Sequence, residues 1–275
     1  MNPLETPPPS SPVLRLFLDH FRIDPALPAD ALLEKVVEAF AALPYENLTK
    51  IIRREASGSP ELARRGPAEV IGDHVRLGAG GTCFSLTAAL LHLVRALGWR
   101  AEPILADRHY GENTHCALLV WVSGAPRLVD PGYLLNRPVP FGSTQPVSVR
   151  TAFNEVVLSP REGGKVDLLT VEGRSRSLRL TFHASPADPG ELLRAWDASF
   201  EWDMMRYPLL TRVRGGRHIY LQEDRLRVRG HGGDGDDGVS RREVPPDGMV
   251  DLIAAEFGLE RRIAERALAI LERGR

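Results

Sequence analysis

Cysteine is scarce in this chain of 275 residues, which contains only Cys83 and Cys116. So few cysteines exclude a disulfide framework and favour a reducing compartment, so we predict a cytoplasmic location. The sequence also has no apolar run of about 18 residues, so we expect no membrane span. Its beginning lacks the basic and apolar regions of a secretory signal peptide and is predicted to form a flexible, proline-rich tail over residues 1–12.

The chain also lacks an excess of basic residues, because 35 Lys and Arg are balanced by 36 Asp and Glu. A formal net charge of −1 gives no strongly cationic surface that would release counterions from phosphates. We therefore do not expect nucleic acid as a partner.

Apolar residues recur at helical spacing through the first part of the chain, which predicts helices from Val13, from Asp30 as an N-cap, and from Pro67. Residues 53–65 are predicted to form a polar loop. The period changes near residue 101, and the following segments predict antiparallel strands that would close into a barrel or a curled sheet: 101–106, 115–122, 126–130, 147–153, 154–158, 166–171 and 177–183. The remaining residues mix helices with strands at 217–222 and 225–228.

Cys83 lies where a glycine-rich loop, residues 78–81, meets the most apolar predicted helix, residues 84–97. Glycines allow a reactant to approach the sulfur closely. The N-terminus of the helix presents free N–H groups and the positive end of its dipole, which favour the thiolate form of cysteine. We therefore predict that Cys83 is a nucleophile.

His115 begins one predicted strand and Asp130 ends the next, with a hairpin predicted at Ser123-Gly124. Both residues lie at similar distances from this turn, so antiparallel pairing brings them together. A Cys–His–Asp triad is therefore predicted, in which His115 moves the proton and Asp130 orients the imidazole. Cys116 should face away from His115 and fill the core.

Four segments, 44–48 (Pro-Tyr-Glu-Asn-Leu), 80–84 (Gly-Gly-Thr-Cys-Phe), 114–120 (Thr-His-Cys-Ala-Leu-Leu-Val) and 128–133 (Leu-Val-Asp-Pro-Gly-Tyr), resemble the motifs of the arylamine N-acetyltransferase family in order and spacing. The resemblance implies an α+β fold with a cysteine-protease-like core: a helical domain (13–98), a central antiparallel β-barrel domain (99–185) and an α/β lid domain (186–275). It also implies ping-pong acyl transfer to a small-molecule amine through an acyl-cysteine, with acetyl-CoA or another acyl thioester as co-substrate and no bound cofactor or metal.

The sequence departs from the family pattern at two positions, since Ala79 and Ser85 stand where the family usually has arginine and glutamate. Glu46, which normally pairs with that arginine in the family, is expected either to pair with Arg76 or to stay solvated. Residues 204–210 also lack the serines and threonines that the family carries near the coenzyme A site. These departures leave open a carrier-protein donor, as in amide synthases of natural-product pathways.

Residues next to the predicted triad are the candidates for substrate contacts, namely Thr82, Phe84, Tyr110 and Tyr133. Two further functions use the same three catalytic residues: a cysteine hydrolase, with water as acceptor, and a transglutaminase-like enzyme. A catalytically silent ligand-binding protein is a third alternative. The glycine- and aspartate-rich segment 230–240 does not match the calcium-binding EF-hand spacing and is predicted to be a disordered surface loop.

Overall fold

The computed structural model describes residues 3–230 and 238–274, and it combines helices with two antiparallel sheets. The aspartates at 234, 236 and 237 lie outside these described residues, as do residues 1 and 2 of the predicted tail. Two points anchor the rest of that tail: Ser11 caps the first helix, and the carbonyl of Leu4 accepts a hydrogen bond from Arg95. No described helix is both long and apolar enough to cross a lipid bilayer.

Helices dominate the first part of the chain and return near its end. The α-helices of the described residues are Pro12–Phe21 (α1), Ala29–Phe40 (α2), Leu48–Ala56 (α3), Pro60–Ala63 (α4), Pro67–Leu77 (α5), Cys83–Ala96 (α6), Pro189–Ala198 (α7), Pro246–Leu252 (α8) and Arg261–Arg273 (α9). A short 3-10 helix covers Asp203–Arg206, and a π-helical turn covers Ile253–Phe257. α6 is buried along nearly its whole length, because it carries apolar side chains on all sides.

Eight strands form the larger sheet, which is curled and nearly closed like a barrel, as predicted. They are Ala101–Arg108 (β2), Gly111–Val122 (β3), Ala125–Asp130 (β4), Leu135–Pro140 (β5), Val147–Arg150 (β6), Glu155–Arg161 (β7), Lys165–Glu172 (β8) and Ser175–His183 (β9). The strand order is β5-β4-β3-β2-β9-β8-β7-β6, with antiparallel neighbours throughout. α6 packs against β2 and β3, which brings the start of the helix to the sheet.

The smaller sheet combines one short strand from the first part of the chain with four strands from its last part. Its strands are Tyr45–Glu46 (β1), Leu209–Arg214 (β10), Arg217–Gln222 (β11), Arg225–Arg229 (β12) and Val239–Glu243 (β13), in the order β1-β10-β11-β12-β13. One face packs on the C-terminal helices through Leu210, Ile219 and Leu226. The amide of Asn47 fixes the start of β10, since it donates to the Tyr207 carbonyl and accepts from the Leu209 N–H.

The mixed fold class is confirmed, but some predicted elements were wrong, and the structure contains strands that the sequence analysis did not predict. Residues 53–65 are not a continuous loop: α3 extends to Ala56 because it buries Leu48, Ile51 and Ile52 on one face. Asp30 lies in the first turn of α2 rather than at its N-cap, which is Pro28. β5 and β10 were missed, and the domain boundaries at 98 and 185 remain predictions.

Candidate active site

Cys83 begins α6, with Thr82 as the extended N-cap residue. The loop before it can reach this position only because it has no side chain at Gly80, where a Cβ atom would lie 1.7 Å from the carbonyl oxygen of Pro44. The Cys83 side chain is thereby held at the end of the helix that carries unpaired N–H groups. Cys83 is buried, with 3% of its surface exposed.

His115 and Asp130 meet beneath this cysteine. The Nε2 atom of His115 lies 2.7 Å from Oδ2 of Asp130, and both side chains are completely buried. Oδ1 of Asp130 accepts the backbone N–H of Tyr133 at 2.8 Å, so both carboxylate oxygens have partners. The structure therefore brings together the pair that the hairpin predicted, and Nδ1 is the ring nitrogen of His115 that does not contact Asp130.

Gly132 packs against both reactive side chains. A Cβ atom at this position would lie 2.8 Å from Cβ of Cys83 and 2.9 Å from Cε1 of His115. These two contacts place the cysteine and the imidazole next to each other, and they leave no room for a larger residue at 132. The three predicted catalytic residues are therefore assembled at one point, although their roles remain a prediction.

The electrostatics favour a thiolate–imidazolium pair. The pKa of Cys83 is well below its usual value because the Cys116 thiol donates a hydrogen bond and because His115 and Arg108 are close, which together offset the opposing effect of burial. Burial would lower the pKa of His115, but the Asp130 carboxylate and the Cys83 thiolate outweigh it and raise that pKa to about 9. Both shifts favour the thiolate form of Cys83.

Arg108 is a functional candidate that sequence reasoning missed. It ends β2, and its Nη2 atom lies 3.3 Å from Nδ1 of His115. Its positive charge also contributes to the low pKa of Cys83. No motif marks this residue, because it reaches the imidazole only through the pairing of β2 with β3, which sets Ala106 opposite His115.

Cys116 is buried in the hydrophobic core, as predicted. Its thiol also forms a hydrogen bond with the thiol of Cys83, which the alternation of side chains along a strand did not predict. The bond is possible because α6 crosses β3 closely, as the hydrogen bond from the Thr87 hydroxyl to the Cys116 carbonyl also indicates. The second cysteine therefore contacts the first.

The ion-pair partner of Glu46 is Arg65 and not Arg76. The Arg65 guanidinium lies 3.8 Å from Glu46 and also donates to the Gly80 carbonyl at 2.6 Å. Arg76 is instead exposed and pairs with Asp73. An arginine from the loop after α4 therefore supplies the positive charge that an arginine at position 79 would provide.

The predicted substrate contacts differ in where they lie. A cavity of about 260 Å³ adjoins the triad at Gly132, which packs against Cys83 and His115, and Tyr45 and Arg108 also line it. Tyr133 lines this cavity. Phe84 does not, because its ring is stacked on Trp196 in the core at 6.1 Å between centroids, so a substrate contact by Phe84 is not supported.

Thr82 and Tyr110 also lie outside the lining of this cavity. Thr82 is buried beside the start of α6. Tyr110 is 59% exposed, and its hydroxyl interacts with Arg108 near the cavity. Of the four predicted contacts, Tyr133 alone belongs to the cavity wall.

No protein-family model matches the chain, and no curated protein matches it. Several solved structures, however, match the chain over most of its length. The arylamine N-acetyltransferase from Mycobacterium abscessus superposes with a TM-score of 0.78 at 17% identity, covering 94% of this chain and 94% of that one. The Mycobacterium marinum enzyme in complex with CoA gives 0.74 at 18% identity, covering 94% and 98%. The NAT3 enzyme from Bacillus cereus, which has a Cys-His-Glu catalytic triad, gives 0.72 at 17% identity, covering 91% and 99%. This chain therefore has the fold of the arylamine N-acetyltransferases, as the four sequence motifs predicted.

Proposed function

We propose that the protein is an acyltransferase that moves an acyl group from a thioester to an amine through an acyl-cysteine on Cys83. The observation that carries this proposal is the buried His115–Asp130 pair next to Cys83 at the start of α6. The family resemblance of the four motifs and the shared fold support the same reaction class.

In the first half-reaction, the Cys83 thiolate attacks the carbonyl carbon of the donor thioester. A bond forms between Sγ and that carbon, and the bond from the carbon to the donor sulfur breaks. The proton on Nδ1 of His115 goes to the leaving thiolate, while Asp130 holds the imidazole through Nε2. Unpaired N–H groups at the start of α6 are suitably placed to stabilise the negative oxygen of the tetrahedral intermediate.

In the second half-reaction, an amine attacks the acyl-cysteine. Its nitrogen forms the new amide bond, the carbon–sulfur bond to Cys83 breaks, and Nδ1 of His115 accepts the proton that the amine loses. The Cys83 thiolate and the imidazolium are thus restored. The raised pKa of His115, about 9, suits this step because the imidazole keeps the proton once it has accepted it.

The donor is proposed to be an acyl-CoA. The solved M. marinum relative contains CoA, which supports that co-substrate for a chain of the same fold. An acyl carrier protein remains the alternative, because residues 204–210 lack the serines and threonines that the family usually has there.

Intact-mass measurement tests the proposal directly. Wild-type protein incubated with acetyl-CoA should gain the mass of one acetyl group, and this adduct should disappear when an arylamine is added. Cys83→Ala should gain nothing. An adduct that drains equally fast without amine would instead identify a hydrolase, and an adduct that persists in Cys83→Ala would overturn the assignment of the nucleophile.

A further inference from the structure

Arg108 places a positive charge directly against the imidazole of His115. Its Nη2 atom lies 3.3 Å from Nδ1 of His115, and Arg108 lines the cavity that adjoins the triad. The register of β2 and β3 shifts between Ala106 and Arg108, and the hydroxyl of Thr114 accepts the Arg108 N–H at 3.2 Å, which fixes the shifted backbone. The contact between the two side chains is therefore built into the hairpin that carries His115.

This guanidinium has no carboxylate of its own. Among the described residues, no aspartate or glutamate forms an ion pair with Arg108, and Asp130 uses its two oxygens for His115 and for the N–H of Tyr133. The Nε atom of Arg108 is buried without a hydrogen-bond partner. Because a buried cation is unfavourable unless a nearby anion compensates it, Arg108 is sensitive to the charge of the groups that react.

A guanidinium can only donate hydrogen bonds, which restricts where the proton of His115 can lie. Oδ2 of Asp130 accepts from Nε2, so Nε2 carries a hydrogen. Arg108 can then bond Nδ1 only when Nδ1 is unprotonated, so this contact belongs to the neutral imidazole. At 3.3 Å the contact is longer than the usual range of about 2.7–3.2 Å, so an amine in the cavity can displace it.

The titratable groups around His115 come from the elements that pack on it. They are Cys83 of α6, Cys116 of β3, Asp130 of β4 and Arg108 of β2, with Tyr45, Lys50 and Tyr110 acting on the Cys83 sulfur. From β9, Phe182 presents an uncharged ring, 6.3 Å from the imidazole between centroids. Asp130 and the Cys83 thiolate favour a protonated imidazole, whereas the positive charge of Arg108 opposes it.

The balance of these charges changes when Cys83 is acylated. In the thiolate–imidazolium form, the thiolate and Asp130 together offset Arg108 and the protonated His115. Acylation removes the charge of the thiolate. Asp130 and Arg108 then offset each other, so the buried site is neutral only when His115 has lost its proton. Without Arg108, the acylated site would be neutral with His115 still protonated, and the imidazole could not accept a proton from the amine.

We infer that Arg108 is a positioning residue that converts His115 from an acid into a base when Cys83 is acylated, because it keeps Nδ1 free of a proton until the amine arrives. This inference rests on the proposed acyl transfer. The leaving thiolate takes the Nδ1 proton in the first half-reaction, and Arg108 opposes its replacement from solvent. The proton of the amine then moves to Nδ1 as the amide bond forms, and the released Cys83 thiolate restores the original charges.

An NMR titration of the imidazole tests this inference without turnover. Iodoacetamide alkylates the sulfur of Cys83 and releases iodide, which leaves a neutral thioether in place of the acyl group. Intact mass confirms a single adduct, and the His115 signal is identified by its loss in His115→Gln. Alkylation of wild type should lower the midpoint of His115 by at least about one pH unit. In alkylated Arg108→Gln the midpoint should lie at least about one unit above that of alkylated wild type.

Two further variants separate charge from structure. Arg108→Lys keeps the positive charge and should restore most of the shift. Arg179→Gln removes a positive charge from the wall of the same cavity and is the matched control, since Arg179 bonds Thr170 and should leave the midpoint as in alkylated wild type. A merely structural role predicts the opposite sign, because a loosened contact with Asp130 would lower the midpoint in Arg108→Gln. That outcome, or a wild-type midpoint that alkylation leaves unchanged, would overturn the inference.

The pH dependence of acyl transfer gives a second readout. Acetyl-enzyme prepared with 4-nitrophenyl acetate is mixed with an arylamine that stays neutral over the pH range used. The rate should fall as pH drops through the midpoint of His115, and in Arg108→Gln this fall should begin at least about one unit higher. An equal loss of rate at every pH would count against the inference. The NMR shifts without formation of any acyl-enzyme would contradict only the proposed function.

Discussion

Arg65 and Glu46 form an ion pair that is shielded from water next to the glycine loop of the nucleophile. Glu46 is fully buried and Arg65 is 3% exposed. The carboxylate also accepts the backbone N–H and the hydroxyl of Thr49, at 2.9 and 2.5 Å. Because Arg65 bonds the Gly80 carbonyl as well, this pair connects the start of α3 to the loop that positions Cys83.

Arg65→Met is therefore expected to destabilise the protein strongly. Removal of one partner leaves the buried charge of Glu46 uncompensated, which typically costs about 3–5 kcal/mol. The free energy of unfolding, measured by urea denaturation, checks this value. Arg76→Met is the control, because Arg76 is exposed and its loss should change stability by no more than about 0.5 kcal/mol. Equal effects of the two substitutions would contradict the role given to Arg65.

The second prediction concerns the pair of His115 and Asp130. Asp130→Asn should lower the rate of acylation by about 10⁴-fold, because the amide no longer stabilises the imidazolium or fixes its tautomer. His115→Ala should lower it at least as much. Stopped-flow release of 4-nitrophenol from 4-nitrophenyl acetate measures this step, and circular dichroism confirms that the variants fold. Near-normal acylation in either variant would exclude the proposed mechanism.

The sequence predicted the parts of the site that depend on local pattern. The Ser123-Gly124 turn and the count of residues on either side of it were enough to predict that His115 lies next to Asp130. Glycines before an apolar helix were enough to place Cys83 at the start of that helix. In each case the relevant partners are close in sequence or are related by one hairpin.

The remaining contacts depend on how distant elements pack, which no local pattern reveals. Arg65 replaces a missing arginine because the loop after α4 folds back on the glycine loop. Arg108 reaches His115 through the register of β2 and β3. β5 was missed because Pro138 and Pro140 interrupt the expected strand pattern, although this edge strand tolerates them.

Cys116→Ala gives a third prediction. The Cys116 thiol is the largest of the influences that lower the pKa of Cys83, so its removal should raise that pKa. The rate of alkylation by iodoacetamide follows the thiolate, so its midpoint with pH reports the pKa of Cys83. That midpoint should lie at higher pH in the variant than in wild type. Cys116→Ser, which keeps a donor, is the control and should resemble wild type.

Lys50 gives the last prediction, because it is a buried lysine without a carboxylate partner among the described residues. Its Nζ atom donates to the carbonyl and hydroxyl of Ser199 at 2.7 and 2.6 Å and lies 4.5 Å from the centroid of Phe200. Burial lowers its pKa from the usual 10.5 to about 7, despite the opposing effect of Cys83. Between these two pH values the unfolded chain binds more protons than the folded one, so this lysine destabilises the fold increasingly as pH falls from 10.5 to 7.

Lys50→Met removes that titration and keeps the length of the side chain. The variant should therefore gain stability relative to wild type as pH falls from about 10 to 7, with a difference that levels off below 7 at a few kcal/mol. Urea denaturation at a series of pH values measures this difference. Lys35→Met is the control: Lys35 is exposed beside Glu38 and its pKa is raised, so its substitution should show no such trend in this range. A difference that does not change with pH would mean that Lys50 stays charged in the folded protein.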